Sequence, residues 1–191
     1  TMMANHLSKN LPENWNITII DQEKTHYYQP GFLLLPFGIY QPEDVVKKID
    51  KHIPKRANLV QDTIKSINKD KNTVHLNNGD YLNYDLLIIA TGTQINPDEV
   101  EGMNEGGWQK DIFDFYTFDG AKNLAKKLEN WEGGKLVVHI CELPIKCPVA
   151  PLEFAFLADS FFKEKGIRDK VEISFVTPVD EVKVTPEIRQ E

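Results

Sequence analysis

The fold of this chain is decided by three neighbouring stretches, KLVVHI at residues 135–140, PLEFAFLADSFFKEK at 151–165 and VEISFV at 171–176. The first and third are short apolar runs with β-branched residues, which predicts strands. The second is strongly apolar and is followed by Gly166, which predicts a helix that ends there. A strand, a helix and a strand joined in this way form a βαβ unit, so the sequence predicts a parallel sheet.

The residues before this unit predict a second α/β region. Short alternating strands lie between residues 58 and 82, and the turn residues at 77–80 predict a hairpin between the last two. Residues 84–90 form a continuous apolar run, which predicts a strand buried on both faces. Apolar side chains at helical spacing between Phe118 and Trp131 predict a long amphipathic helix.

Composition excludes several classes of protein. The chain has 191 residues with 22 Lys and Arg against 29 Asp and Glu, a net charge of −7, which argues against a nucleic-acid-binding protein. Two cysteines are too few for a disulfide-rich scaffold or a structural zinc site, so we expect no metal. No apolar run approaches the roughly 20 residues that cross a bilayer, and the N-terminus has no secretory signal pattern.

Asp21 is the first residue with a functional interpretation, because it follows the short apolar strand 17–20. In a dinucleotide-binding fold, an acid at this place accepts hydrogen bonds from a ribose diol. The alternative is an ordinary surface acid. The sequence alone favours that alternative, because no Gly-x-Gly-x-x-Gly motif precedes Asp21.

A second candidate is the tripeptide Ala90-Thr91-Gly92, directly after the apolar run. Glycine lets the backbone approach a ligand closely, and Thr91 offers a hydroxyl group. The alternative is a tight turn without a ligand, which the tripeptide by itself does not exclude.

The third candidate is the segment from Cys147 to Glu153, which joins a strand to a helix. A thiol at a helix N-terminus feels the positive end of the helix dipole, which favours its thiolate. Glu153 would lie in the first helical turn, where it either transfers protons or only complements the dipole. Cys141 is expected to be a buried small hydrophobe, although a Cys141–Cys147 disulfide stays open.

In this order, the motifs resemble the sulfide:quinone oxidoreductases of the flavin-dependent disulfide reductase superfamily. The resemblance covers nearly the whole chain. Its carriers are Asp21, HYYQPGF at 26–32, YDLLIIATG at 84–92 and KCPVAPLE at 146–153. The Cys-Pro-x-Ala-Pro-x-Glu string is highly specific, whereas the Ala-Thr-Gly strand identifies only the superfamily.

The resemblance implies an α/β fold of tandem Rossmann-like FAD/NAD(P)-binding domains, with three layers, mostly parallel sheets and an inserted β-meander. Residues 1–106 would form the FAD-binding domain, and residues 107–191 a second domain that carries the redox cysteine. The residues implied near FAD are Asp21 at the adenosine ribose, Thr63 and Ile64 beside the adenine, Gln29 and Pro30 near the flavin, and Thr91 and Gly92.

The resemblance also implies a reaction. Sulfide opens a disulfide between Cys147 and a cysteine in the C-terminal part of the protein, a thiolate attacks the flavin, and electrons leave to a quinone. Glu153 corresponds to an acid–base glutamate of the family. The partners would be sulfide, quinone and, through a C-terminal region, the membrane surface, which makes a peripheral membrane protein; a homo-oligomer stays open.

The chain departs from the family at Tyr116-Thr117-Phe118-Asp119-Gly120, where many members have Cys-Thr-x-x-His. We therefore expect a variant type. We also expect the central part of a longer flavoprotein, without the N-terminal glycine motif and the C-terminal third, which is inactive alone. Two alternatives remain: a flavin-dependent NADH:quinone reductase, which the lack of a second glycine motif disfavours, and an inert module without flavin that only binds or dimerises.

Overall fold

The computed structural model describes residues 1–178, and the backbone forms two compact units. Unit 1 contains residues 1–28 and 42–94, and unit 2 contains residues 29–41 and the chain from residue 95 onward. Neither unit is one continuous stretch of sequence. The functional domains expected at 1–106 and 107–191 stay a prediction.

Unit 1 combines one parallel strand pair with a three-stranded meander. Its elements are α1 (Met2–Asn10), β1 (Ile17–Ile20), β2 (Thr25–Tyr27), α2 (Pro42–Val45), β3 (Val46–Lys48), β4 (Ala57–Val60), β5 (Ile64–Asn68), β6 (Thr73–Leu76) and β7 (Tyr81–Asn83). β1 pairs with β4 in parallel, β2 pairs with β3 in antiparallel fashion, and β5, β6 and β7 form the antiparallel meander. The predicted hairpin at residues 77–80 is confirmed.

Arg56 fixes the end of α1 in unit 1. The last carbonyl groups of a helix have no partner within the helix and need donors from elsewhere. The Arg56 guanidinium donates to the carbonyl oxygens of Ser8 at 3.2 Å and Leu11 at 2.7 Å. It also donates to the carbonyl oxygen of Trp15 at 3.2 Å, so a single side chain holds the connection from α1 to β1.

The predicted buried strand at residues 84–90 is wrong. These residues form no strand, and the side chains of Leu86 and Ile89 are 62% and 66% exposed. A strand that is apolar on both faces needs hydrogen-bonded neighbours in a covered sheet. None of the described strands pairs with this segment. Apolar composition alone is therefore an insufficient basis for a strand here.

Unit 2 contains the predicted βαβ unit. Its elements are α3 (Phe118–Glu129), β8 (Gly134–His139), α4 (Ala150–Glu164) and β9 (Val171–Val176). β8 and β9 pair in parallel, from Gly134 opposite Val171 to His139 opposite Val176. The parallel sheet and both long helices are therefore confirmed. The buried core consists of Leu124, Leu128, Val138, Phe154, Ala158, Phe162 and Val171.

Residues 29–41 belong to unit 2, although their neighbours in sequence belong to unit 1. They form two short 3-10 turns, at Gln29–Leu33 and Leu35–Phe37. Phe32 and Leu35 are only 3% and 4% exposed. The Phe37 ring packs against Phe154 on α4, with ring centroids 5.0 Å apart. This segment therefore packs into the core of unit 2, and Gln29 at its start belongs to unit 2 as well.

Candidate functional site

In unit 1, the structure brings Asp21 and Thr63 to the same edge of the parallel pair. Asp21 directly follows β1, and its backbone N–H donates to the carbonyl oxygen of Val60 at 3.1 Å. Thr63 follows β4, and its hydroxyl donates to Oε1 of Gln22 at 3.0 Å. In open α/β sheets, ligands bind just outside the carboxyl ends of the strands. The two residues thus both lie beyond the carboxyl ends of β1 and β4.

The other candidates in unit 1 differ in how firmly they are held. The carbonyl oxygen of Thr63 accepts from Asn77 N–H at 3.0 Å, and Ile64 begins β5, so this backbone is fixed. Thr91 and Gly92 are exposed and lie outside any helix or strand of the described chain. Gly92 has a φ of 77°, the left-handed region that favours glycine.

In unit 2, Cys147 occupies the loop between β8 and α4. Its thiol is free and the residue is exposed. The backbone φ of Cys147 is 52°, a left-handed conformation that non-glycine residues rarely adopt. Its carbonyl oxygen accepts from Ala150 N–H, at 3.0 Å, where α4 begins. The expected position of a thiol just before a helix is confirmed.

Tyr116 contacts Cys147 from the other side of the loop. Its hydroxyl donates to the carbonyl oxygen of Cys147 at 3.4 Å. Burial, and then the negative charge that Cys147 carries as a thiolate, raise the pKa of Tyr116 to about 12. The hydroxyl therefore stays protonated near neutral pH and remains a hydrogen-bond donor.

Two neighbours fix the position of Tyr116. The buried Asp114 carboxylate accepts from the backbone N–H of Tyr116 at 3.0 Å and of Thr117 at 2.7 Å. The Phe115 ring stacks on Tyr116 and also on Phe154, with centroid distances of 4.9 and 4.8 Å. Tyr116 is thereby tied to the core of unit 2.

Lys146, the residue before Cys147, is joined to Gln29. Its ammonium group donates to Oε1 of Gln29. Two segments that are far apart in sequence, both predicted to face the flavin, are thus brought together within unit 2. Pro30 follows Gln29 and is exposed.

Glu153 lies in the first turn of α4, as predicted, and its side chain is exposed. Its backbone N–H donates to the carbonyl oxygen of Val149 at 3.0 Å. An acid here complements the positive end of the helix dipole. Position alone leaves both interpretations open, the dipole partner and the proton donor.

The expectation that Cys141 is buried is wrong, since the residue is exposed. The last backbone hydrogen bond along β8 is made by Ile140, whose N–H donates to the carbonyl oxygen of Val176 at 2.9 Å, so Cys141 lies just beyond the sheet. Its Sγ is 3.6 Å from Nδ1 of His139. Partial burial of the thiol and the charge of Glu142 raise the pKa of Cys141. Both thiols are free, so they are not bonded to each other.

No family model matches the chain. It is 28% identical over 174 residues to the mitochondrial sulfide:quinone oxidoreductase of Dictyostelium discoideum, covering 91% of this chain and 38% of that protein. It is 30% identical over 171 residues to the sulfide-quinone reductase of Aquifex aeolicus, covering 88% and 38%. The crystal structure of the sulfide:quinone oxidoreductase from Aquifex aeolicus superposes with a TM-score of 0.73 at 26% identity, covering 90% of this chain and 39% of that one.

The resemblance to sulfide:quinone oxidoreductases is confirmed. The superposition, the two parallel pairs and the inserted meander also confirm the fold class, Rossmann-like FAD/NAD(P)-binding architecture. The chain spans about two fifths of the length of these sulfide:quinone oxidoreductases. Among residues 1–178, no helix is long and apolar enough to cross a membrane, and no group of three or more metal-ligating side chains is arranged around an ion position.

Three residues around the cysteine motif shared with sulfide:quinone oxidoreductases were missed from sequence. They are Tyr116, Lys146 and Asp114. The KCPVAPLE string shows that Lys146 precedes the thiol, but not that it reaches Gln29. The Asp-x-x-Thr pattern at Asp114 and Thr117 is the one local signal, because Thr117 is the N-cap of α3 and accepts from Gly120 N–H at 3.0 Å.

Proposed function

We propose that the protein carrying these residues is an FAD-dependent enzyme that oxidises sulfide to sulfane sulfur and passes the electrons to a quinone. One observation carries this proposal: a free, exposed thiol, Cys147, held in a left-handed backbone conformation three residues before the start of α4. Unusual backbone conformations of this kind cluster at active sites. The names of the relatives support the same substrates.

The residues present fit a dinucleotide cofactor. Asp21 accepts Glu23 N–H through Oδ1, at 2.9 Å; Oδ2 has no hydrogen-bond partner among residues 1–178, so it is available to a ribose hydroxyl. The backbone at Thr63 and Ile64, beside the same strand edge, would contact the adenine. When bound, FAD would supply a two-electron acceptor. We also propose FAD contacts at Gln29, Pro30, Thr91 and Gly92. Residues 1–106 are the proposed FAD-binding domain.

The chemistry proposed for unit 2 rests on the groups around Cys147. The Lys146 ammonium, anchored by Gln29, would bring a positive charge to the loop that carries the thiol. Glu153, at the start of the same helix, would hold a proton for the sulfur species that enters or leaves. Quinone and the membrane surface would be met by parts of the protein outside the described residues, which makes the protein peripheral to the membrane.

The first test uses protein from the complete gene. We expect yellow flavin absorbance and sulfide-dependent quinone reduction. Cys147→Ser should reduce turnover to background, because a serine hydroxyl is a far weaker nucleophile than a thiolate. Cys141→Ser, the matched control, should keep most of the activity.

Three outcomes would contradict the proposal. Purified protein without flavin would favour an inert binding module. Quinone reduction with NADH but not with sulfide would favour an NADH:quinone reductase. Equal loss in Cys147→Ser and Cys141→Ser would indicate that the two thiols act as a pair.

A further inference from the structure

We infer that Tyr116 is a positioning residue, whose hydroxyl holds the backbone of Cys147 in its left-handed conformation and so sets the direction of the sulfur. This inference rests on the proposed role of Cys147 as the redox thiol. It adds a residue that the shared sequence motif does not contain.

The first support is the carbonyl oxygen of Cys147, which accepts two hydrogen bonds. Ala150 N–H donates at 3.0 Å, and the Tyr116 hydroxyl donates at 3.4 Å. A carbonyl oxygen has two lone pairs, so both donors are accommodated. These two hydrogen bonds fix the orientation of the peptide group that follows Cys147, and so restrain its backbone.

The second support is the rigidity of Tyr116. Its backbone N–H is bound to the buried Asp114 carboxylate. Its ring lies on Phe115, which stacks on Phe154 with an interplanar angle of 6°. Phe154 belongs to α4, the helix that begins just after Cys147. Tyr116 therefore connects Phe154 of α4, through the Phe115 ring, to the backbone of Cys147 in the loop before that helix.

The third support concerns what Tyr116 does not do. With a pKa of about 12, the hydroxyl is a poor proton donor to a thiolate near neutral pH, and its hydrogen bond goes to the carbonyl oxygen instead of the sulfur. A catalytic acid would need a pKa near the working pH. The geometry points to a fixed donor that positions Cys147.

The test uses the 191-residue chain with Cys141→Ser, which leaves Cys147 as the single thiol. Tyr116→Phe keeps the stacked ring and removes only the hydroxyl. Amide hydrogen exchange at Ala150 should become about fivefold faster, the equivalent of about 1 kcal/mol for one neutral hydrogen bond. Tyr81→Phe, on the exposed strand β7, should leave this rate unchanged.

Two further measurements separate positioning from other roles. The pH midpoint of Cys147 alkylation by iodoacetamide should be the same with and without the hydroxyl; a shifted midpoint would mean that the hydroxyl acts on the sulfur and would overturn the inference. In a separate Cys147→Ser chain, NMR titration of the Tyr116 ring should give a lower Tyr116 pKa, because the thiolate charge is gone. Cys141→Ser alone should leave the Tyr116 pKa unchanged.

An unchanged exchange rate at Ala150 would overturn the inference, and an unchanged Tyr116 titration would contradict the contact between Tyr116 and Cys147 on which it rests. The titration does not depend on Tyr116→Phe, so it can be made even if that variant does not fold. All three readouts need no flavin, sulfide or quinone. A failure of the proposed function would therefore leave them intact, and a failure here would leave sulfide oxidation to be judged by its own assay.

Discussion

The two parallel strand pairs are supported in opposite ways. β8 and β9 are joined by α4, a helix of 15 residues that buries Phe154 and Phe162 against the sheet. Between β1 and β4, the longest α-helix is α2, with four residues, and the middle of the connection, residues 29–41, belongs to the other unit. Unit 2 is thus completed by a segment taken from the crossover of unit 1.

This difference shows how each pair offers its functional groups. The edge beside Asp21 and Thr63 is built from turns and from side-chain hydrogen bonds between these half-buried residues and the exposed Gln22 and Glu23. The loop with Cys147 is held by a core helix, a buried carboxylate and a stack of aromatic rings. In the roles proposed above, a group that binds a cofactor would tolerate some motion, whereas a reacting sulfur would need a fixed direction.

The largest expected effect tests which apolar residues carry stability. Phe162 is fully buried, and its ring meets Trp131 and Phe161 at centroid distances of 5.4 Å each. Phe162→Ala should lower the free energy of unfolding by about 3–5 kcal/mol, because a large cavity is left in the core. Chemical denaturation measures this loss.

Leu86→Ala is the matched control, in the apolar run of unit 1. Leu86 is 62% exposed, so the change should stay within about 0.5 kcal/mol. A loss of several kcal/mol would show that residues 84–90 are buried in solution and would remove the contrast between the units.

A moderate effect is expected at the helix starts. Thr117 caps α3 by accepting Gly120 N–H, whereas Thr1, at the same position of α1, makes no such bond. Thr117→Ala should cost about 1 kcal/mol, and Thr1→Ala close to nothing. Thermal unfolding of both variants measures the difference. Equal losses would mean that capping does not distinguish the two units.

The smallest effect is a dependence on pH in unit 2. Asp159 on α4 accepts from Lys163 and Arg168, and these hydrogen bonds hold the pKa of its carboxyl below the ordinary value of 3.8. A lowered pKa adds stability above the unfolded value, and that stability is lost as the pH falls through the folded pKa. Asp159→Asn should therefore be less stable than the parent at pH 7, with a difference that begins to shrink as the pH falls below about 4 and is lost below the folded pKa of Asp159.

Asp119→Asn is the control for this charge effect, because the Asp119–Lys122 pair is exposed and longer, at 3.4 Å. Its unfolding midpoint should follow that of the parent at every pH. A difference for Asp159→Asn that persists in acid would contradict a charge-based cause.

Local patterns were enough to predict the elements of unit 2. Apolar periodicity and Gly166 define α4, and the strands on either side define the parallel pair. The same method failed at residues 84–90, because strand formation depends on a partner and not on composition alone. It also failed at Cys141, which lies just beyond the last backbone hydrogen bond of the sheet, made by Ile140, and is exposed.

The contacts around Cys147 were beyond sequence reasoning for a different reason. Tyr116 and Cys147 are 31 residues apart, and Gln29 and Lys146 are 117 apart. Such pairs exist only after the backbone of unit 2 has folded into place. Position relative to the strand and helix ends, as for Asp21 and Glu153, was predictable; hydrogen-bond partners were not.

The placement of residues 29–41 in unit 2 has a consequence for synthesis on the ribosome. Phe32 and Leu35 leave the exit tunnel long before α3 and α4, the helices that bury them, have been translated. Until then, these apolar side chains stay open to water and to other chains, a condition that favours aggregation or chaperone binding. Residues 29–41 can therefore pack into unit 2 only after α3 and α4 have been synthesised.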